Sequence, residues 1–433
     1  MMRQRVSSRS VRRKVCALCC LLSAAAPIYR AASAATEPPV PMVVRLDAPQ
    51  AVFSWASMRC ESWDIPDAPA RAWRDAKGAV HLLVSHIRNR AMVGTDLDHL
   101  RQDCRTVYQG GAQDAPRLYD DRSWIASPYT LDGSAVYALV HNEFHGHLRR
   151  DLCPAGIYLR CWSNSVTAVI SHDGGHSFAH AAPPYHLVAA PPYRYPGGGD
   201  HRTGYFNPSN IVVRDGYYYA FFWAEAEGAQ RRGACLMRSA SLADPRAWRA
   251  WDGREFTIRF IDAYVEVATD AAQHVCAPVA EGRLTSSISS VTLHRGSGAY
   301  IALMATERPG PGGAAVTGIF ATGSTDLIHW SEPQLVWRAG LLFKYLCDDA
   351  VVFYPSLLDP ASPSSNFEDA GDHAYIYFTD IHLQSCRIGP DRDLVRVPVE
   401  IRWSSPGNHP RPRAEDQIPI SGFAGLTPTR QAA

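Results

Sequence analysis

Five stretches of the chain repeat one pattern of polar and apolar positions. In each, a small polar or Pro-containing step leads into an extended segment, and a run of Tyr, Val, Leu and Phe follows. A turn separates the two halves in four of the five stretches. The apolar runs begin at Val80, Val136, Tyr217, Ala299 and Ala374. Repeated short strands joined by turns are typical of a β-propeller, so five copies predict an all-β, five-bladed β-propeller.

The repeat has a second half, in which another extended run ends in a tight polar turn. Residues 167–178 and 318–330 are two examples, with Asp173 and Asp326 in their turns. An Asp at such a place can bond to its own backbone, so we interpret both as turn-closing residues rather than catalytic ones. No long amphipathic helical pattern interrupts the repeats. We therefore predict one propeller domain over residues 35–403 and a polar, Pro-rich tail over 404–433.

The N-terminal segment reads as a secretory signal peptide. Basic residues between Arg3 and Lys14 precede an apolar stretch over residues 15–26, and Ala32-Ser33-Ala34 supplies a small-x-small cleavage site. The apolar stretch is too short for a stable membrane anchor. We predict a signal peptide over residues 1–34 and a secreted or periplasmic protein.

The number of cysteines is consistent with an exported protein. Of the 11 Cys, three fall in the signal segment, and 11 − 3 leaves eight. An even number in an exported chain suggests disulfides. We predict the pairs Cys153–Cys161 and Cys60–Cys104. These eight cysteines show no CxxC spacing and no accompanying His cluster, which argues against a zinc site, and we expect no metal.

The composition of the chain excludes some classes of binding partner. The chain has 433 residues, a formal net charge of +1 and 20% charged residues, an ordinary globular composition. A nucleic-acid scaffold needs a clear excess of Lys and Arg, which is missing here. No segment after the signal is apolar for long enough to cross a membrane. We expect a monomer that binds neither nucleic acid nor a bilayer core.

Two turns carry a family resemblance. Residues 171–178, Ser-His-Asp-Gly-Gly-His-Ser-Phe, resemble the Asp-box of sialidases and related propellers. Residues 324–330 resemble the same position in five-bladed glycoside hydrolases of the arabinanase, xylosidase and invertase kind. Together with the five repeats over residues 60–400, the resemblance covers most of the mature chain. It implies a sugar-binding axial cleft and a hydrolase mechanism with acidic side chains. It also allows an axial calcium ion, for which no ligand set is visible, and we predict no cofactor.

Glycoside cleavage needs two carboxyl groups across the scissile bond, one of them with a raised pKa. Asp67, at the start of the first inner strand, is the predicted base or nucleophile; the alternative is a residue that caps a turn. Glu143, in the polar cluster His-Asn-Glu-Phe-His, is the predicted acid; the alternative is a surface Glu paired with Arg149 or Arg150. Asp121 is the predicted third carboxylate, which tunes the acid, with its neighbour Asp120 as the alternative.

The sequence departs from the family at the third inner strand. The family pattern carries a Glu beside a Pro there, whereas this chain has Phe206-Asn207-Pro208. Glu143, Glu225 or a His replaces that acid, or the chain only binds sugar. The candidate substrate-binding residues are Arg71, Trp73, Trp124, His141, Asn207 and Glu225, with Arg71 suited to an acidic sugar by bidentate pairing.

Two functions follow from these patterns. The first is a glycoside hydrolase that acts on oligosaccharide or polysaccharide. The second is a carbohydrate-binding propeller without catalysis, and a protein-interaction propeller is a weaker third. The missing Glu before Pro208 is the feature that keeps the second function open.

Overall fold

A computed structural model describes residues 37–84 and 86–404. The predicted signal peptide and all but the first residue of the predicted tail lie outside these ranges. Regular structure in the described residues is almost entirely β, which confirms the all-β class. The exceptions are one α-helix and short 3₁₀ helices. The helices are α1 (Trp55–Met58), η1 (Pro116–Leu118), η2 (Gly146–Leu148), η3 (Tyr158–Arg160), η4 (Pro245–Ala247), η5 (Ala271–His274) and η6 (Pro311–Gly313).

The described chain opens with two strands that pair with its last strand, and a four-stranded antiparallel sheet follows. The first eight strands are β1 (Val40–Arg45), β2 (Gln50–Phe53), β3 (Arg71–Arg74), β4 (Val80–Leu83), β5 (Arg88–Asn89), β6 (Ala91–Gly94), β7 (Leu100–Gln102) and β8 (Tyr108–Gln109). The four-stranded sheet has the order β3-β4-β6-β7, and β5 pairs with β8 separately.

The middle of the chain forms an 11-stranded sheet. Its strands are β9 (Arg122–Thr130), β10 (Val136–His145), β11 (Trp162–Ser171), β12 (Ala179–His180), β13 (Leu187–Ala189), β14 (Thr203–Phe206), β15 (Val212–Arg214), β16 (Tyr217–Ala224), β17 (Gly233–Ser239), β18 (Arg249–Ala250) and β19 (Ile258–Arg259). The main path is β19-β18-β17-β16-β14-β11-β10-β9. The β11–β14 pair is parallel and joins two antiparallel groups, one on each side of it.

Two further sheets complete the described chain. Their strands are β20 (Ser290–His294), β21 (Tyr300–Pro309), β22 (Ala315–Ser324), β23 (Gln334–Arg338), β24 (Gly340–Leu341), β25 (Val351–Leu358), β26 (Asp369–Ala370), β27 (His373–Gln384) and β28 (Arg387–Ser404). One sheet has the order β23-β22-β21-β20-β26, and the other has the order β1-β28-β27-β25-β24. The strand β1 thus joins the start of the described chain to its end.

The predicted apolar runs lie in the middle of these antiparallel groups. They correspond to β4, β10, β16, β21 and β27, each paired on both edges. Alternate residues of a strand face opposite sides of its sheet, and the apolar ones meet residues of the next group along the chain. For example, Trp73 and Leu83 pack with Ile125 and Val140 in one buried cluster. The arrangement of these groups as five blades stays a prediction.

Covalent and polar links tie the loops to the strands. The predicted disulfides Cys60–Cys104 and Cys153–Cys161 are confirmed, and Cys235–Cys276 and Cys347–Cys386 complete the four. Asp173 accepts hydrogen bonds from the backbone N–H and the hydroxyl of Ser177, and Asp326 accepts from two backbone N–H groups, so both close turns as predicted. Among residues 37–84 and 86–404, the helices are all too short to cross a bilayer.

Candidate active site

The end of β10 presents polar side chains on one face of its sheet. His141, Glu143 and His145 occupy alternate positions and therefore point to the same side. Residues directly opposite on neighbouring strands share that side. The register adds Trp124 and Arg122 of β9, and Asn164 and Trp162 of β11. The strand pairing itself thus gathers chemically active side chains at one end of the sheet.

Glu143 is the buried carboxylate of this face. His141 Nε2 lies 2.8 Å from its Oε1, and His145 Nε2 lies 2.6 Å from its Oε2. Burial alone would raise the pKa of Glu143, but the hydrogen bonds and charges of the two histidines outweigh it and lower the pKa to about 2. Glu143 is therefore ionised at neutral pH. This state suits a nucleophile or base and does not suit the acid role predicted for it.

The tautomer of His141 follows from its other nitrogen. The backbone N–H of Asn207 donates to His141 Nδ1 at 3.1 Å. A nitrogen that accepts carries no proton, so the proton of the neutral ring lies on Nε2 and points at Glu143. Asn207 stands at φ +48°, and its side-chain amide donates to Ser287 Oγ. Asn207 therefore orients His141 through its backbone.

Asp67 lies just before β3, and its side chain is 16% exposed. Arg392 Nη1 lies 2.5 Å from Asp67 Oδ1, and the Tyr354 hydroxyl donates to the same oxygen at 3.4 Å. His86 Nε2 lies 3.7 Å from Asp67 Oδ2, within ion-pair distance. Asp67 is thus anchored by a cation and a phenol, with an imidazole at its second oxygen.

Ring contacts connect the surroundings of Asp67 with those of Glu143. His86, which lies 3.7 Å from Asp67, has its ring 5.5 Å from that of Trp124, and Trp124 lies 5.7 Å from His141, the partner of Glu143. The structure therefore brings together the two carboxylates that the sequence analysis singled out.

A continuous series of rings, here called the aromatic wall, lines the cleft. Its members are Trp63, His86, Trp124, His141, Phe206, Trp162 and Tyr158, with neighbouring ring centroids 5.0–6.0 Å apart. Trp63 is 55% exposed and stacks on His86, and Tyr158 stacks on Trp162. Such rings offer flat apolar surfaces together with polar edges. Of these seven, the sequence analysis named only Trp124 and His141 as substrate-binding residues.

Several polar atoms of the cleft are left without partners. Among the described residues, the buried Trp124 Nε1, Trp162 Nε1, His86 Nδ1 and His147 Nδ1 have no hydrogen bond. Buried polar groups are nearly always satisfied, so these atoms are positions that a ligand or water would fill. A cavity of about 330 Å³ is lined by Asp121, Arg122, Ser123, Leu148 and Arg149 among others.

Two predicted carboxylates are engaged elsewhere. Asp121 Oδ2 accepts from the backbone N–H of His145 and from Arg149 Nη1, so it fixes the turn after β10. Glu225 pairs with Arg202 and Arg232. Arg202 in turn lies over the rings of Trp162 and Phe206, so Glu225 supports the aromatic wall through Arg202.

Arg71 and Trp73, both predicted to bind substrate, are buried and hydrogen-bonded within the protein. Arg71 is buried and donates to the backbone carbonyls of Ala70, Ala126 and Ser289 and to Ser356 Oγ, so its guanidinium is occupied. Trp73 is 0% exposed, and its Nε1 donates to the carbonyl of Gly174. Neither residue offers a surface to a ligand. The periodicity of the sequence predicted that both residues lie in a strand, but it did not predict how deeply their side chains are buried.

Two groups of His and carboxylate side chains in the described residues have ligand atoms close enough for a metal ion. They are Asp75, His81 and His176, and His382, Asp391 and Asp393. His81 and His176 belong to the β4 strand and to the turn that contains Asp173, away from Glu143 in the chain. In the second group, the hydrogen bond with Asp380 is the main cause that raises the pKa of His382 to about 9, which opposes metal binding by that ring.

Comparison with known proteins gives distant structural similarity. No family profile and no curated protein sequence matches the chain. The catalytic domain of Coprinopsis cinerea GH62 α-L-arabinofuranosidase is 11% identical with a TM-score of 0.44, over 82% of this chain and 97% of that one. Cellvibrio cellulosa α-L-arabinanase in complex with arabinohexaose is 11% identical with a TM-score of 0.43, over 78% and 95%. An endo-arabinase from Bacteroides thetaiotaomicron VPI-5482 is 10% identical with a TM-score of 0.44, over 82% and 98%. Such identities assign no residue and no substrate to this chain.

Proposed function

We propose that the chain is an exported glycoside hydrolase with a five-bladed propeller fold and that it cleaves oligosaccharide or polysaccharide. The observation that supports the proposal is the series of ring contacts that joins Asp67, through His86 and Trp124, to the histidine partner of Glu143. Paired carboxylates supply the charge that glycoside cleavage needs, and aromatic rings bind sugar faces. Four disulfides favour export.

In this proposal Glu143 is the ionised carboxylate. It attacks the anomeric carbon or activates a water, and it stabilises positive charge on the sugar ring. Its two histidine partners keep it deprotonated over the working pH range. The departing oxygen then needs its proton from another group.

The proton donor in the proposal is His86, oriented by Asp67. His86 Nε2 faces Asp67 Oδ2 at 3.7 Å, and its Nδ1 is buried without a partner among the described residues. An imidazole held by a carboxylate on one side can exchange a proton on the other. Carboxyls whose pKa burial raises, Glu227, Glu368 and Asp393, make no contact with Asp67 or Glu143 in the described part of the chain.

A second function, saccharide binding without cleavage, is favoured by one observation. The pKa of Glu143, the predicted acid, is lowered to about 2, whereas an acid catalyst of the usual kind needs a raised pKa. In that case Glu143 and its histidines accept and donate hydrogen bonds to sugar hydroxyls only.

The test is a panel of aryl glycosides and polysaccharides, assayed for released sugar and for binding. The proteins are the wild type, Asp67→Asn, Glu143→Gln and, as a matched control, Asp215→Asn at an exposed turn. We expect wild type and the control to release sugar and the two cleft variants to lose at least about 100-fold in rate. If the wild type binds saccharide but releases no sugar, saccharide binding without cleavage is the function. If it binds no saccharide, both proposed functions are rejected.

A further inference from the structure

The guanidinium of Arg122 has no bonded partner among the described residues. Arg122 lies on β9 directly opposite Glu143, and it lines the 330 Å³ cavity. Within residues 37–84 and 86–404 its side chain makes no hydrogen bond and no ion pair. On β9 it lies two positions before Trp124, so both side chains point to the same face of the sheet as Glu143.

The carboxylates around Arg122 already have partners. Asp67 pairs with Arg392, Asp121 pairs with Arg149, and Glu143 is held by two histidines. Glu225, behind the aromatic wall, is paired with two arginines. Each of these carboxylates is thus held by other side chains, and the guanidinium donors of Arg122 remain available to an anionic group of a ligand.

The other open positions of the cleft also call for acceptors. An indole Nε1–H only donates, and the indoles of Trp124 and Trp162 are 7% and 6% exposed with no partner among the described residues. A guanidinium likewise only donates. A ligand rich in acceptor oxygens would satisfy all three groups, whereas one that presents donors there would leave them unpaired at a cost.

We propose that the sugar bound in this cleft carries a carboxylate, as a uronic acid does, and that Arg122 binds this carboxylate. The inference rests on the proposed saccharide function and adds its substrate class. The fork of a guanidinium matches the two oxygens of a carboxylate, and such bidentate pairs are stronger than neutral hydrogen bonds. The specificity for acidic sugar that the sequence analysis assigned to Arg71 thereby belongs to Arg122, because Arg71 is occupied by backbone carbonyls.

The test compares acidic and neutral ligands of one size by titration calorimetry. The probes are trisaccharides of galacturonic and of glucuronic acid, their neutral galactose and glucose counterparts, and a sulfated galactose trisaccharide. Titrations use the His86→Gln background, which the proposed mechanism makes slow to cleave and which leaves the Asp67–Arg392 pair intact. Onto it are placed Arg122→Gln, Arg122→Lys and the matched control Arg254→Gln, an exposed arginine in the β18–β19 turn.

We expect at least one uronate to bind about 10- to 100-fold more tightly than its neutral counterpart, and Arg122→Gln to remove that preference while leaving affinity for neutral sugar unchanged. Arg122→Lys should restore only part of it, since an ammonium pairs as a point charge. Added salt should weaken the binding of the uronates and leave the binding of the neutral sugars unchanged. A preference for the sulfated sugar over both uronates would reject the carboxylate.

Three results would overturn the inference. Equal affinity for acidic and neutral sugars would remove it and leave the proposed function standing. A uronate preference that survives Arg122→Gln would show that another residue binds the carboxylate. Failure of every probe to bind would reject the proposed function together with the inference. Melting temperatures of all variants within a few degrees of the background protein exclude misfolding as the cause.

Discussion

Arg122 and Glu143 lie directly opposite each other on β9 and β10, yet they form no ion pair in the described structure. Opposite charges at such cross-strand positions ordinarily pair. Here both oxygens of Glu143 are taken by imidazole nitrogens, at 2.8 and 2.6 Å. Each oxygen thus has an imidazole partner in place of the guanidinium, which stays available. The histidines therefore separate the charge proposed for chemistry from the charge proposed for recognition.

The stability of the protein should depend on the ionisation of Glu143. The folded pKa is lowered from 4.5 to about 2, so the carboxylate contributes stability that is fully present above pH 4.5. That contribution is lost as the pH falls through the range between these two values. A shift of this size corresponds to on the order of 3 kcal/mol. The variant Glu143→Gln lacks the titrating group.

Urea unfolding of wild type and Glu143→Gln at several pH values between 7 and 2.5 measures this contribution. The free-energy difference between the two proteins should be largest at pH 7 and should shrink below about pH 4.5. The control is Glu255→Gln, which changes an exposed carboxyl and should track the wild type. A difference that stays constant with pH would show that Glu143 is not the titrating group.

The pH dependence of cleavage should identify His86 as the proton donor. Burial lowers the pKa of His86 below its ordinary 6.5, and Asp67 opposes that shift. An acid must hold its proton, so the rate should fall as the pH rises through this lowered pKa. The variant Asp67→Asn removes the opposing charge and should move the falling limb of the profile to still lower pH.

Profiles of kcat/KM against pH for wild type, His86→Gln and Asp67→Asn give the measurement. His86→Gln should lose about 100- to 10,000-fold in rate and lose the falling limb as well. His180→Gln is the control, since that ring lies by Asp120 and His186 and outside the aromatic wall. If Asp67→Asn leaves the falling limb of the profile at the same pH, Asp67 does not influence the pKa of His86.

The strand pattern was predictable because it rests on local alternation. The apolar runs that begin at Val80 and Val136 are strands β4 and β10, and Asp67, Glu143, Trp124, His141 and Asn207 all lie in or beside the cleft. The degree to which each side chain is buried was not predictable. Arg71 and Trp73 alternate like any strand residues, and only the sheets packed on both sides bury them.

The cleft members that the sequence analysis missed depend on register. The Asp132-Gly133 turn could have fixed the pairing of β9 with β10 near the turn, but a register shift between Leu139 and Val140 changes the partners of the far end. Counting from the turn alone therefore misplaces Arg122 relative to Glu143. Trp162 comes after a 16-residue connection, over residues 146–161, whose length no pattern determines.

Trp63 should act as a platform for a sugar ring. It is 55% exposed at the end of the aromatic wall, stacked on His86 with 5.9 Å between centroids. Loss of one stacking surface costs about 0.5–1.5 kcal/mol, so Trp63→Ala should weaken saccharide binding by roughly 2- to 12-fold. Calorimetric titration measures this, with Tyr185→Ala as the control, an exposed aromatic that lies over Arg246. Unchanged affinity in Trp63→Ala would exclude Trp63 from the binding surface.

Arg71 should be a stability residue and not a ligand-binding one. Its guanidinium donates to carbonyl oxygens of Ala126 and Ser289 and to Ser356 Oγ, which belong to three separate segments of the chain. Replacement by Met keeps the length of the side chain and leaves those buried acceptors unpaired, at about 1–3 kcal/mol each. The free energy of unfolding of Arg71→Met should therefore fall by roughly 3–6 kcal/mol. Its saccharide affinity, measured under conditions where the variant is folded, should stay within about twofold of wild type.

The control is Arg338→Met, an exposed arginine on β23 without an ion pair in the described structure, which should change neither quantity. The opposite outcome, a large loss of affinity for acidic sugar with little loss of stability, would return the anion-binding role to Arg71 and remove it from Arg122. The pair of measurements is decisive because the two roles make opposite demands on the guanidinium. A structural arginine is fully hydrogen-bonded before any ligand arrives, whereas a recognising one keeps its donors free.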